Sequence, residues 1–323
     1  MNEQLLNVLN SIVANATPLV IASIGETITE RAGVINLSLD GSLILAAMFG
    51  FVAALTTGSI IVGIIVAMLV GMLVALLIAF AGIKLRQDQV AIGFVLTLLT
   101  ADLAQFLGQD YSRISGPTIP HFPLPFLRDI PVMGDILFDH DMLVYFSYIL
   151  IIATWYWLFR TRPGLAHRAV GERPAAAFAR GTKVNMLRFV YTAVGGALVG
   201  LAGAGYSLSL KPGWATPPPM RGDGWIALAI VIFGGWHPFR VVLGAYLFAG
   251  LRQLASALQR QFEINPVLLN AIPWTLMILT LLLVSSGSLE RLLQILPRAA
   301  QNRVRAFLHS DPPAALGSRF EPD

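Results

Sequence analysis

Between Gly41 and Ile83 the chain runs for 43 residues without a single Asp, Glu, Lys or Arg. No other feature restricts the fold as much. About 20 apolar residues cross the hydrocarbon of a bilayer, so this run is too long for one span. The segment "TTGS" at 56–59 divides it into two. The whole chain keeps the same habit, with 56% hydrophobic residues, 12% charged residues and a mean hydropathy of +0.70. A soluble globular domain carries roughly 25% charged residues. A soluble chain of 323 residues could bury a sizeable core, but it would still need a polar surface that this composition cannot supply. An apolar outer surface is stable in lipid, where the backbone must satisfy its own hydrogen bonds. The expected class is an all-α integral membrane protein, a polytopic bundle of about 8–10 membrane segments that include short or broken helices.

Further spans follow from the stretches that lack charge. They are residues 4–25, 89–108 (interrupted by Asp102), 142–159, 189–210 and 264–286. Residues 225–251 differ. "GWIALAIVIF" and "VVLGAYLFAGL" are each too short to cross comfortably and are joined by "GGWHPFR". They read as two short or broken helices meeting at a turn, a feature that marks the pathway in many transporters. One kinked helix is the other reading. The expected division is a membrane domain over 1–290 and a cytoplasmic, disordered tail over 291–323, where Pro and charge replace apolar periodicity.

Lys and Arg in short loops set orientation. Residues 160–188 hold seven basic residues against one acid, Glu172, and are expected in the cytoplasm. Residues 109–141 hold five Asp and two Arg and are expected outside. Alternation puts 15 of the 22 basic residues inside and six outside and leaves Arg31 unassigned, with Arg252 and Arg260 fitting less well. The N-terminus lacks the basic start of a cleaved signal peptide.

Several chemistries are excluded or unsupported. There is no cysteine and no G-x-x-x-x-G-K-[ST] phosphate loop, so ATP is not cradled by that device. The five histidines are scattered, only His237 lies near a membrane segment, and no cluster suggests a metal or cofactor. Gly196-x-x-x-Gly200 is a small-residue stripe that lets a neighbouring helix approach closely. Asp102 is an ionisable group inside a span, with Gln105 on the same helix face. It can line a pathway or form a hydrogen-bonded packing contact.

Two polar words stand apart from the apolar background. "ERAGVINLSLDG" (30–41) reads as a helix junction: Gly33 permits a break, Asn36 and Ser38 offer local hydrogen bonds, and Asp40 precedes the next helix. "GERPAAAFARG" (171–181) has a short-helix signature, with Glu172 and Pro174 suited to a first turn and Gly181 to its end. Such a helix, small-faced with one aromatic and set among positive charge, suits either a docking groove on a partner or a solvated connector.

Together with "GWIALAIVIFGGWHPF", these words resemble the permease subunits of ATP-binding cassette (ABC) importers. The branch is the one that moves branched-chain amino acids and simple sugars, and the resemblance is closest to its nucleoside-type members. It covers residues 15–286 in the same order and spacing. It implies a non-enzymatic permease in a prokaryotic inner membrane that forms half of a solute pathway. A second permease, identical or paralogous, would complete the pathway, and a substrate-binding protein would deliver solute. Cytoplasmic ATPases would dock on Gly171, Glu172, Arg173, Pro174, Ala175, Ala176 and Phe178. Asn36, Ser38, Asp40, Thr97 and Asp102 would touch the solute route. At four of these the family usually carries another residue: Gly for Ser38, Glu for Asp40, Asn for Thr97 and Gly for Asp102. A secondary transporter without an ATPase is the alternative, although one buried acid is little for ion coupling.

Overall fold

The computed structural model describes residues 3–262, Thr275, Ile278 and 311–321. The span expected at 264–286 therefore lies outside the described residues, Thr275 and Ile278 apart. Helix α1 (Glu3–Arg31) is followed by α2 (Leu39–Thr57), α3 (Ile60–Ala79, continued by a π-helical turn Phe80–Lys84) and α4 (Gln89–Leu107). A long loop carries the single-turn α5 (Met133–Leu137). Then come α6 (Met142–Arg160), α7 (Arg162–Glu172), α8 (Pro174–Ala179) and α9 (Val184–Gly205, continued to Leu210). The described bundle closes with α10 (Asp223–Phe233) and α11 (Pro238–Phe262). Among the described residues, six helices are long and apolar enough to cross a membrane: α1, α2, α3, α4, α6 and α9.

Helix α9 is the hub, packed against α1, α2 and α3. The small-residue stripe explains why. A Cβ on Gly71 of α3 would meet the Gly200 nitrogen at 2.6 Å, and one on Gly203 would meet the Leu43 carbonyl of α2 at 2.6 Å. Side chains there would hold the backbones apart, and close packing supplies much of the association energy between helices in lipid. The outward faces of α3 and α4 carry Ile61, Leu69, Leu73, Phe94, Val95 and Phe106, all exposed, an apolar surface suited to lipid or to another membrane chain.

The division at 56–59 falls where α2 gives way to α3. Three expectations need correction. Helix α1 does not stop near residue 25 but continues to Arg31, because Glu26 and Glu30 are buried inside the bundle rather than set at a surface. The second arm of the broken segment is not short: α10 has 11 residues, but α11 has 25 and carries Arg252 within it. The end of the tail is not disordered, since residues 311–321 lie on the bundle with Ala315 N donating to Gly171 O (2.8 Å) and Gly317 N to Gly33 O (3.0 Å).

Candidate coupling face and solute pathway

Thr161 caps α7, its hydroxyl accepting from Gly164 N at 3.1 Å, and Pro163 fits the first turn. One face of α7 is then keyed into the bundle. His167 is fully buried, its Nε2 donates to the Ile28 carbonyl of α1 at 2.9 Å, and its ring lies 4.1 Å from Tyr191 and 5.1 Å from Trp157. Burial pushes the His167 pKa down to about 3, helped by Arg31 and Arg168 and opposed by the bond to Ile28. The ring is neutral at physiological pH. Gly171 sits against the Arg31 carbonyl so closely that a Cβ would clash with it. Sequence reasoning passed over His167 as one of five scattered histidines; its burial depends on how α7 folds back on α1.

Glu172 is the last residue of α7, not part of the first turn of α8, and its Oε2 accepts from Ala314 N at 3.2 Å. Arg173 links the two helices and Pro174 opens α8. Ala177 turns inward to Val170 and Val184. Ala175, Ala176 and Phe178 face outward, and Gly181, at φ 84°, follows the end of α8. The Phe178 ring lies 5.6 Å from Phe320 of the tail and still leaves 44% of the residue exposed.

The word at 30–41 is occupied by internal bonds. Gly33, at φ 88°, turns the chain after α1. Asn36 Oδ1 accepts from Ser38 N (3.2 Å) and Ser38 Oγ (2.7 Å), while Ser38 Oγ also meets Ser42 Oγ at 2.9 Å. Thr97 of α4 donates to the Leu37 carbonyl at 2.6 Å, and Gln89 Oε1 accepts from Ile35 N at 2.9 Å. Glu30 and Arg31 do not pair with each other. Both reach the α10–α11 turn: Glu30 Oε2 accepts from Trp236 Nε1 at 2.5 Å, and Arg31 Nε donates to Trp236 O at 2.7 Å.

Asp40 serves a neighbouring helix as well as its own. Its Oδ1 accepts from Gly222 N (2.8 Å) and Gly224 N (3.0 Å), at the start of α10. A carboxylate there meets unsatisfied N–H groups and the positive end of the dipole. Beside it, buried Asp223 accepts from Tyr206 Oη at 2.6 Å and takes a bidentate grip from Arg252, one arm of which is 3.0 Å long. This explains why Arg252 fits the charge rule poorly: its charge is matched inside the protein. The only sequence hint was that two opposite charges, Asp223 and Arg252, flank the broken segment at 225–251.

The structure thus gathers Asn36, Ser38, Asp40 and Thr97 around one junction, where α2, α4 and α10 meet, all of them buried. Asp102 stands apart. It is exposed on the outward face of α4, among Leu98, Leu99, Leu103 and Phe106, and makes no hydrogen bond or ion pair with the described residues. Packing inside its own chain does not account for it.

Six spanning helices among the described residues, a broken helix ending at a polar junction, and a helix pair keyed to one end of the bundle define a multi-pass membrane transport protein. Residues 8–286 match the family described as branched-chain amino acid transport system / permease component, and the chain belongs to that family. The Haloferax volcanii protein TsgC13, named as a glucose ABC transporter permease, is 37% identical over 250 residues, 76% of either chain. The nucleoside ABC transporter permease NupC of Lactococcus lactis is 34% identical over 265 residues, 77% of this chain and 83% of its own. The guanosine ABC transporter permease NupQ of Bacillus subtilis is 33% identical over 285 residues, 82% and 88% respectively. No solved structure matches the chain. The protein is a transmembrane permease of the ABC kind; these relatives favour that reading over a secondary transporter.

Proposed function

We propose that this permease forms half of the solute pathway of an ABC importer, with α7 and α8 receiving a cytoplasmic ATPase. Nucleosides, simple sugars or related small polar solutes would be the cargo, in line with the names of its relatives. The observation that carries the reading is the outward face of α8, Ala175, Ala176 and Phe178, on a helix pair locked to α1 through His167 and Gly171. Small residues let a partner approach closely, and the aromatic gives it an anchor. A partner whose affinity differs between two states of the permease shifts it between them. Displacement of α7 would bear on the end of α1, then through Glu30 and Arg31 on Trp236 and α10. Alternating access at the Asp40 junction would follow from that movement. A second permease, identical or paralogous, would cover the outward face of α4, where Asp102 is costly against lipid. A substrate-binding protein would supply the opposite end, and the permease itself would carry out no covalent chemistry.

Reconstituted vesicles containing the assembled transporter test this. Uptake of labelled guanosine or glucose should require ATP on the α8 side, and the favoured solute should compete with the other. Uptake that runs without ATP on an ion gradient would overturn the reading.

A further inference from the structure

At the α7–α8 end of the bundle, a cavity of about 190 Å³ lies between the α3–α4 turn, the first turn of α9 and the C-terminal segment. It has space for about six waters at the roughly 30 Å³ that each takes up in the liquid. Its lining includes Lys84, Arg86, Asn185, Arg188, Arg319 and Glu321. That is four cations against one carboxylate, and Arg86 already holds the carboxylate at 3.0 Å. Lys84 and Arg319 form no ion pair with the described residues.

Arg188 is the decisive group. Only 1% of it is exposed, and Nη1 donates to the Ser318 carbonyl at 2.8 Å, but Nε and Nη2 have no partner. Asn185 Oδ1, one turn earlier on the same helix, is also buried without a partner. A buried guanidinium with two unmet donors is unfavourable unless an anion completes it. Its planar fork matches a phosphoryl group. Asn185 and Arg188 lie in the first turn and a half of the 22-residue α9, whose cap residue Lys183 offers no side-chain acceptor. The positive end of that helix adds to the attraction. Turning the Asn185 amide over would present Nδ2 to the same ligand.

We propose that this cavity binds a phosphoryl-bearing anion, and that its occupant fastens the C-terminal segment against the coupling helices. The wall formed by Arg319 and Glu321 belongs to the same segment that bonds Gly33, Gly171 and Glu172. A ligand that bridges Arg188 and Arg319 therefore joins α9 to the tail across the face where α8 is displayed. The chemistry suits two sources, the headgroup of an anionic lipid or free phosphate. The inference rests on the cavity and does not require that an ATPase docks on α8.

The test uses the full-length permease. One arm titrates inorganic phosphate into delipidated protein in dodecyl maltoside, with chloride held at equal ionic strength. The other uses phosphate-free nanodiscs of phosphatidylcholine with or without phosphatidylglycerol. A saturable rise in the unfolding midpoint is expected in at least one arm. A rise in detergent with phosphate assigns the site to the free anion, and a rise only with phosphatidylglycerol assigns it to the headgroup. Arg188→Gln should weaken binding at least tenfold. Should that variant fail to fold, Arg319→Gln and Lys84→Gln, both at exposed positions, should each weaken it several-fold. No saturable effect in either arm, or binding unchanged in these variants, overturns the proposal.

Discussion

Asp223 and Arg252 show how single charges are made tolerable in this bundle. Asp223 is only 1% exposed and gathers Arg252 and the Tyr206 hydroxyl. Removing one partner of such a pair leaves the other uncompensated, which costs about 3–5 kcal/mol when both are buried. Arg252 keeps 39% of its side chain accessible, so the lower end is expected. Asp223→Leu should therefore lower the thermal midpoint in detergent clearly, and adding Arg252→Met should restore most of the loss. A single variant as stable as the double would show that the pair does not anchor α10 to α11. His167 makes a second residue-scale prediction. Its folded pKa lies near 3, below the ordinary value of about 6.5, so the unfolded chain takes up a proton that the folded one refuses. Its contribution is intact above about pH 6.5 and shrinks as pH falls toward 3. His140, also depressed by burial, acts in the same sense. The wild-type midpoint should thus drop between pH 7 and 5 more steeply than that of His167→Gln, which keeps a donor for Ile28. Parallel slopes would contradict the neutral, buried state.

Helix α8 carries the sharpest prediction at the scale of elements. Ala176→Arg adds bulk and like charge where a partner must approach, while α8 lies outside the six spans and Ala176 faces outward. Folding should be unaffected. Copurification of the ATPase should fall at least tenfold, which corresponds to about 1.4 kcal/mol. Wild-type capture and wild-type uptake by this variant would make the segment a mere connector. The elements themselves were legible in part. Absence of charge located the spans, since nothing else in a sequence reports lipid so directly. The end of α1 was misjudged because Glu26, Glu30 and Arg31 look like a surface; the acids are buried in the bundle, and Trp236, 205 residues beyond Arg31, receives Glu30 and Arg31. Helix α7 was missed for a related reason: its inward face is built from His167, Val170 and Gly171, which carry no apolar stripe until α1 is in place.

For the molecule as a whole, the candidate site divides into parts that a sequence can and cannot display. Asn36, Ser38 and Asp40 were recognisable as polar residues in apolar surroundings, Thr97 only through the family resemblance, and the fold brings the four together. Their partners Gly222 and Gly224, 182 and 184 residues from Asp40, were not recognisable, because main-chain donors leave no mark in a sequence. Asp102 was visible as an anomaly, but its outward direction was not. That direction predicts that Asp102→Ala lowers uptake several-fold at unchanged membrane abundance; equal losses of protein and uptake would return Asp102 to a packing role.

Orientation is the remaining property of the whole chain, and it governs the rest. Helix α6 (Met142–Arg160) runs straight between the acidic 109–141 loop and the basic 160–188 segment, so the two lie at opposite ends of the bundle. Basic residues are retained on the cytoplasmic side, so the charge pattern predicts α8 inside. The absence of cysteine makes single-site labelling clean. Phe126 is 88% exposed and Ala179 is exposed on α8, so neither substitution empties a core. An impermeant maleimide should label Phe126→Cys on intact cells, and Ala179→Cys only after permeabilisation. The reverse pattern would put α8 where no cytoplasmic ATPase can reach it, and the docking assignment would fall together with the topology.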